Sequence, residues 1–259
     1  MKKIIFLYFV ILNSLIINAQ KNLKIDYTFK DENNHICNST LYIIKKESLY
    51  RIDDKRDDGI DEEKTKGDNY VKVNNDALSK IFYSANKKTI TRIPLYKSEV
   101  VYTDDDTKIK YKLTGNNKLI NKYNCQEAKL TLNGRKYTIW FTTDFETSFG
   151  PYKINGLPGL VVELTEETNK VKITLKSIKR IDDVTEFNKY KNYITSKKSL
   201  TYTDYEIKMT EIMTKRKKAN YAKMAELGVT VNYDENQKAF TQFIIDVPTN
   251  LVTDLQKIK

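Results

Sequence analysis

Ala128-Lys129-Leu130-Thr131-Leu132-Asn133-Gly134-Arg135-Lys136-Tyr137-Thr138-Ile139-Trp140-Phe141 reads as two short strands joined by a two-residue turn. Asn133-Gly134 suits both positive-φ positions of a type I′ turn, whose twist matches that of the strands it joins. Leu130 and Leu132 then share one face of the first arm, while Tyr137, Ile139 and Phe141 share one face of the second. Trp140, the only tryptophan, points the other way.

The same period of two recurs upstream and downstream. Leu23-Lys24-Ile25-Asp26-Tyr27-Thr28-Phe29 alternates, Leu41-Tyr42-Ile43-Ile44 does so less cleanly, and Val171-Lys172-Ile173-Thr174-Leu175-Lys176 sets branched apolar residues against cations. Polar stretches are expected to separate the strands: Asp53 to Glu63, Thr103 to Asp106, and the shorter Asn116-Asn117 and Asn121-Lys122. After Arg180 the pattern changes. Asp183-Val184-Thr185-Glu186 and Thr203-Asp204-Tyr205-Glu206 resemble capping boxes, opening helices to about Lys197 and Leu227. In the second helix Tyr205, Met209, Ile212 and Met213 form an apolar stripe. A late strand is expected over Phe240 to Val247. The fold class is mainly β (α+β), a single antiparallel β domain with two helices towards the C-terminus.

Met1-Lys2-Lys3 and the apolar run from Ile4 to Ile17, ending at Ala19, have the layout of a cleaved secretory signal. Fourteen helical residues span about 21 Å, short of the roughly 30 Å hydrocarbon core that an anchor must cross. We therefore expect a signal peptide over 1–19 and one domain over 20–259, soluble after cleavage and exported to the periplasm or beyond. The formal charge is +11, or +9 without Lys2 and Lys3. Only 6 of the 45 basic residues are Arg, and base and phosphate readout leans on the bidentate Arg fork. With export also removing the chain from the genome, nucleic acid is not an expected partner. An anionic envelope lipid surface fits the charge better. Cys37 and Cys125, in a chain bound for an oxidising compartment, suggest a disulfide; two separate buried thiols are the alternative.

Gly150-Pro151-Tyr152-Lys153-Ile154-Asn155-Gly156-Leu157-Pro158-Gly159-Leu160-Val161 is the other informative stretch. Pro158 suits the second position of a tight turn and Gly159 the positive φ of a type II turn. The run resembles the signature of the GLPGLI family of exported Bacteroidota proteins, with Val161 where that signature ends in Ile. Tyr123-Asn124-Cys125 and Trp140-Phe141-Thr142-Thr143 are similar to further segments of that family. The resemblance implies an open β half-barrel or bowl, similar in outline to lipoprotein-carrier folds, and no established biochemical activity. Within the signature, Gly156, Leu157, Pro158, Gly159, Leu160 and Val161 have two readings: buried anchors around a bend, or an apolar contact loop at the mouth of the bowl.

Other constellations are weaker. In EF-hand spacing, Gly59 at position six puts Arg56 at three and Thr65 at twelve, which rules that pattern out. A looser calcium site there stands against a solvated loop. His35 is the sole histidine, so histidine zinc sites and Ser-His-Asp triads have little to build on. Asp144 and Glu146 would share a strand face, a spacing open to carboxylate hydrolysis. No phosphate-cradling glycine loop or dinucleotide fingerprint occurs, so no cofactor is expected. Lys215, Arg216, Lys217 and Lys218 form a basic patch suited to solvent or to a membrane surface. The expected function is non-enzymatic binding or assembly at the periplasmic side of the outer membrane, with an outer-membrane protein or envelope lipid as partner. The alternatives are a carrier of an acyl chain or apolar peptide and, behind it, a carboxylate-based hydrolase.

Overall fold

The computed structural model describes residues 22–31, 34–53, 79–95, 98–106, 109–132 and 134–226. The expected signal peptide, the acidic run beyond Asp53, and the late strand Phe240 to Val247 lie outside them. Strands β1 (Leu23–Lys30), β2 (Ile36–Ile44) and β3 (Glu47–Asp53) are followed by β4 (Lys80–Ala85), β5 (Lys88–Leu95) and β6 (Ser98–Asp105). The chain continues through β7 (Tyr111–Ile120), β8 (Tyr123–Leu132), β9 (Arg135–Thr142), β10 (Leu160–Glu166) and β11 (Lys172–Arg180). Helix α1 (Thr185–Thr195), the short β12 (Leu200–Thr201) and helix α2 (Tyr202–Glu226) complete it.

All twelve strands form one open sheet in the order β12-β6-β5-β4-β3-β2-β1-β11-β10-β9-β8-β7. Only the β12–β6 pairing is parallel. The strands curl into a half-barrel, or bowl, that does not close. Alternation decides which residues line it. Ile25, Tyr27, Leu41, Ile43, Tyr50, Phe82, Ile139, Phe141 and Leu164 gather in one inner core drawn from both halves of the sheet. Tyr42, Ile44, Leu49, Ile81 and Tyr83 face outwards and are covered by Phe187, Tyr190 and Ile194 of α1. The hairpin of β8 and β9 forms as expected, with Leu132 directly opposite Arg135. Helix α2 begins at a capping box two residues earlier than anticipated. The Asp204 amide donates to Thr201 Oγ1 at 3.1 Å and the Thr201 hydroxyl donates back to the Asp204 carboxylate at 2.7 Å. Tyr205 and Met209 of its apolar stripe are buried.

Several expectations are corrected. Asn116-Asn117 is not a turn but a bulge inside β7, where the register slips between Leu113 and Asn117. Glu127 on β8 braces the bulge by accepting from two of its side chains, the Thr114 hydroxyl at 2.6 Å and the Asn116 Nδ2 at 2.7 Å. Thr103 to Asp105 do not break the chain; they end β6. Asp144 and Glu146 lie on an exposed loop after β9 rather than on one strand face, so the spacing that invited hydrolysis is not realised. Cys37 and Cys125 are not joined. Their strands, β2 and β8, stand five spacings apart in the sheet, each about 4.8 Å. Glu186 does not cap α1 but reaches the sheet, pairing with Arg51 at 3.1 Å and accepting from the Tyr42 hydroxyl.

The far end of α1 is clamped to the sheet by Glu99 of β6. It accepts from Arg92 at 2.7 Å, from Lys197 at 2.9 Å and from the Tyr193 hydroxyl. Burial alone would raise the Glu99 carboxyl, but the Tyr193, Arg92 and Lys197 donors outweigh it and hold the group at about 2. A folded value below the unfolded one, near about 4.3, gives stabilisation that is complete above the unfolded value and lost as pH falls through the folded one. Glu99→Gln is therefore expected to destabilise the protein at pH 7 by on the order of 1–2 kcal/mol. The gap from wild type should shrink steadily between about pH 5 and pH 2 in urea unfolding measured at stepped pH.

Candidate functional site

The glycine-flanked segment after β9 crosses the inner face of the bowl instead of capping its rim. Tyr152, Lys153, Ile154, Asn155 and Leu157 are all buried. Tyr152 packs edge-on against Phe82 of β4 with ring centroids 4.8 Å apart. Ile154 and Leu157 join the inner core. Leu160 and Val161 are likewise buried, whereas Pro158 and Gly156 reach the surface. The Tyr27 hydroxyl donates to the Val161 carbonyl at 2.9 Å, tying the end of the segment to β1.

Two polar side chains fasten this segment to the opposite half of the sheet. Lys153 is only 1% exposed. Its ammonium pairs with Asp104 of β6 at 3.1 Å and lies over the rings of Tyr102, at 4.6 Å, and Tyr202, at 5.5 Å. Tyr205 of α2 stacks on Tyr102 with centroids 4.0 Å apart, so helix and segment share one aromatic box. Burying an ammonium costs several kcal/mol unless a counter-charge and suitable dipoles meet it; here a carboxylate and two π-faces do. Asn155 is the second fastening. Its Nδ2 donates to Ser84 of β4 at 2.9 Å, to Thr89 of β5 at 3.3 Å and to Asp106 at 3.0 Å. Its Oδ1 accepts from the Gly150 amide at 3.4 Å, and its main-chain carbonyl accepts from the Tyr111 hydroxyl of β7 at 2.6 Å. Burial pushes the Asp106 carboxyl up, against the Thr89 and Asn155 hydrogen bonds that favour its charge.

The bend itself differs from the expected type II turn. The Gly159 amide donates to the Leu157 carbonyl at 2.9 Å, closing a three-residue turn around Pro158. Gly159 has the expected positive φ, at +157°, a conformation L side chains rarely adopt, and it is also required for space: a Cβ there would sit 2.2 Å from the Thr142 carbonyl oxygen. Gly156 also has a positive φ, at +100°, but with space around it: the Tyr111 ring lies 3.7 Å from where a Cβ would be. The structural reading of the signature therefore covers all six of its residues. Sequence reasoning passed over Lys153, Asn155, Asp104 and Asp106. Two polar residues inside a glycine-flanked apolar run were the available signal.

The outer face divides in two. Helix α1 covers β3 to β5, and the face of β7 to β9 carries an open groove of about 620 Å³. Lys110, Lys112, Lys129 and Lys136 line it with Thr131, Thr138 and one carboxylate, Glu167. Lys112 stands directly opposite Lys129, and Lys129 opposite Thr138. One step along the same face the charges are balanced: Glu163 pairs with Lys118 at 3.3 Å and Lys172 at 3.0 Å. Lys118 also lies 4.2 Å from the centre of the Trp140 ring. Of the basic patch on α2, Lys215 is exposed, and the side chains of Arg216, Lys217 and Lys218 lie outside the described residues. Among the described residues no group of three or more His, Cys, Asp or Glu could hold a metal ion, and no helix is long and apolar enough to cross a membrane.

These contacts rank substitutions in the segment. Gly159→Ala is expected to cost about 2–4 kcal/mol, because the clash is with backbone that cannot move aside. Gly156→Ala should cost about 1–2 kcal/mol, the strain of a left-handed φ alone. Leu157→Ala should cost about 2–5 kcal/mol as a truncated core anchor. Urea unfolding of the three variants checks the order, and a Gly156→Ala effect larger than that of Gly159→Ala would contradict it.

Residues 62–204 match the family described as the N-glycanase peptide, N-terminal domain. No curated protein matches the chain. Among solved structures, PNGF-II in a C2 crystal form aligns with TM-score 0.47 and 16% identity over 70% of this chain and 31% of its own. An uncharacterized conserved protein from Thermus thermophilus aligns with TM-score 0.36 and 8% identity over 70% of this chain and 92% of its own. A LolA superfamily protein from Nitrosomonas europaea aligns with TM-score 0.27 and 8% identity over 64% of this chain and 88% of its own. The chain spans about a third of the length of the PNGF-II chains it aligns with. With more than half of its residues inside the family match, the chain belongs to the N-glycanase peptide N-terminal domain family.

Proposed function

We propose that this chain is an exported, non-catalytic binding module of the envelope that recognises its partner on the outer face of the bowl. One observation carries the reading. Tyr152, Ile154 and Leu157 occupy the inner face that a carrier would leave for an acyl chain or apolar peptide, and Lys153 and Asn155 fasten them there. Emptying that space would strand a buried ammonium and a buried carboxamide, each costly without partners. The groove over β7 to β9, by contrast, is open without any rearrangement. The family's description, an N-glycanase N-terminal domain, supports a place beside carbohydrate processing. Export, implied by Met1 to Ala19 and by the GLPGLI resemblance, belongs to the same proposal.

Native mass spectrometry of the mature protein, purified from its own envelope, separates the candidates when combined with a glycan-release assay on a glycoprotein. The binding-module reading expects protein free of stoichiometric lipid and no release of glycan. A tightly held lipid at one per chain would establish the carrier, and released glycan would establish an enzyme.

A further inference from the structure

The groove over β7 to β9 holds a charge arrangement that the fold itself leaves unbalanced. Lys112 and Lys129 face each other across adjacent strands, a placement that destabilises a sheet through like-charge repulsion. Among the described residues no carboxylate lies within ion-pairing distance of Lys110, Lys112 or Lys129, while Lys136 holds a loose, exposed pair with Glu167 at 3.5 Å. Elsewhere on this face the acids are engaged by the fold. Glu127 accepts from Thr114 and Asn116, whose hydrogen bonds, with a smaller pull from the Lys129 and Lys118 charges, keep its carboxyl below the usual range, and Glu163 sits between Lys118 and Lys172.

We propose that this groove binds an acidic oligosaccharide, a chain of sugars bearing carboxylate or sulfate groups, whose anions settle among Lys110, Lys112, Lys129 and Lys136. The proposal rests on the binding-module reading and names its ligand class. Sheet geometry sets the lysine stems at intervals of about 5 Å across strands and about 7 Å along them, so anions repeated along an extended chain meet several at once. Thr131 and Thr138 place hydroxyls between the cations, suited to neutral sugar hydroxyls. The lining argues against the other polyanions. It has no Arg for bidentate phosphate readout, and its one aromatic residue, Tyr137, is buried and offers no stacking platform to bases. Leu130 is buried too, so a membrane finds no exposed apolar side chain in the groove to receive.

The test is titration calorimetry of the full mature chain with four probes: a heparin hexasaccharide, an oligogalacturonate, neutral maltohexaose, and vesicles of phosphatidylglycerol in phosphatidylcholine. Binding of at least one acidic oligosaccharide, weakening with salt, is expected, with none of maltohexaose. Lys110→Gln, Lys112→Gln and Lys129→Gln combined should weaken it by roughly tenfold or more. Lys46→Gln, Lys179→Gln and Lys198→Gln combined remove the same charge from exposed sites elsewhere and should change it by less than about threefold. The groove triple should melt no lower than wild type, since it relieves the Lys112–Lys129 repulsion. Equal losses from both triples, binding to vesicles alone, or no binding by wild type would each overturn the proposal. Those results would leave the lipid-free bowl, and so the binding-module reading, standing.

Discussion

A lysine ammonium and an asparagine carboxamide buried inside the curve of a β-sheet are the constraint from which the rest follows. Neither can be left without partners in a low-dielectric interior, and the ammonium and the carboxamide N–H groups find theirs far along the chain. Lys153 and Asn155 are met by Asp104, Ser84, Thr89 and Asp106, all on or beside β4 to β6. β10 lies five strands from β4 in the sheet. These bonds therefore hold the two halves of the open sheet at a fixed curvature, which a flat sheet of the same strands would not need. The glycines serve the same end: Gly159 lets the segment press against the Thr142 carbonyl as it returns to β10.

Helix α2 shares the same anchor. Its first turn stacks Tyr202 and Tyr205 around Tyr102, beneath the Lys153 ammonium, so the C-terminal helix and the segment share one aromatic surface. Helix α1 is held differently, by Phe187, Tyr190 and Ile194 on the outer face and by the Glu99 clamp. Among the described residues, α1 covers the outer face of β3 to β5 and the β7 to β9 face carries an open groove. The proposed recognition surface is that groove.

Much of the architecture was legible in the sequence because it is written in local periodicity. The hairpin of β8 and β9, the alternation of β1 and β11, and the apolar stripe of α2 each follow from residues adjacent in the chain. The rest depends on partners far away. Asp104 and Asp106 look like a polar break until Lys153 and Asn155 arrive from the far half of the sheet. Asn116-Asn117 looks like a turn until Glu127 on the neighbouring strand braces a bulge. The disulfide expectation failed on topology, since nothing in the spacing of Cys37 and Cys125 reveals that four strands separate theirs. The signature was recognisable as a bend; that it lies inside the bowl was not, because only the pairing of its two polar residues says so. The lysine groove was divided between a hairpin read for its apolar face and a strand read as interrupted.

Hydrogen exchange on an Asn155→Ala variant, compared with wild type strand by strand, tests the central claim most directly. The Asn155 side chain bonds to Ser84, Thr89 and Asp106, so its removal should lower amide protection in β4 to β6 and in the first turn of α2 as well as in the segment and β10. Protection lost only within residues 150–159, with β4 to β6 unchanged, would contradict the account and mean that the sheet holds its curve without the segment.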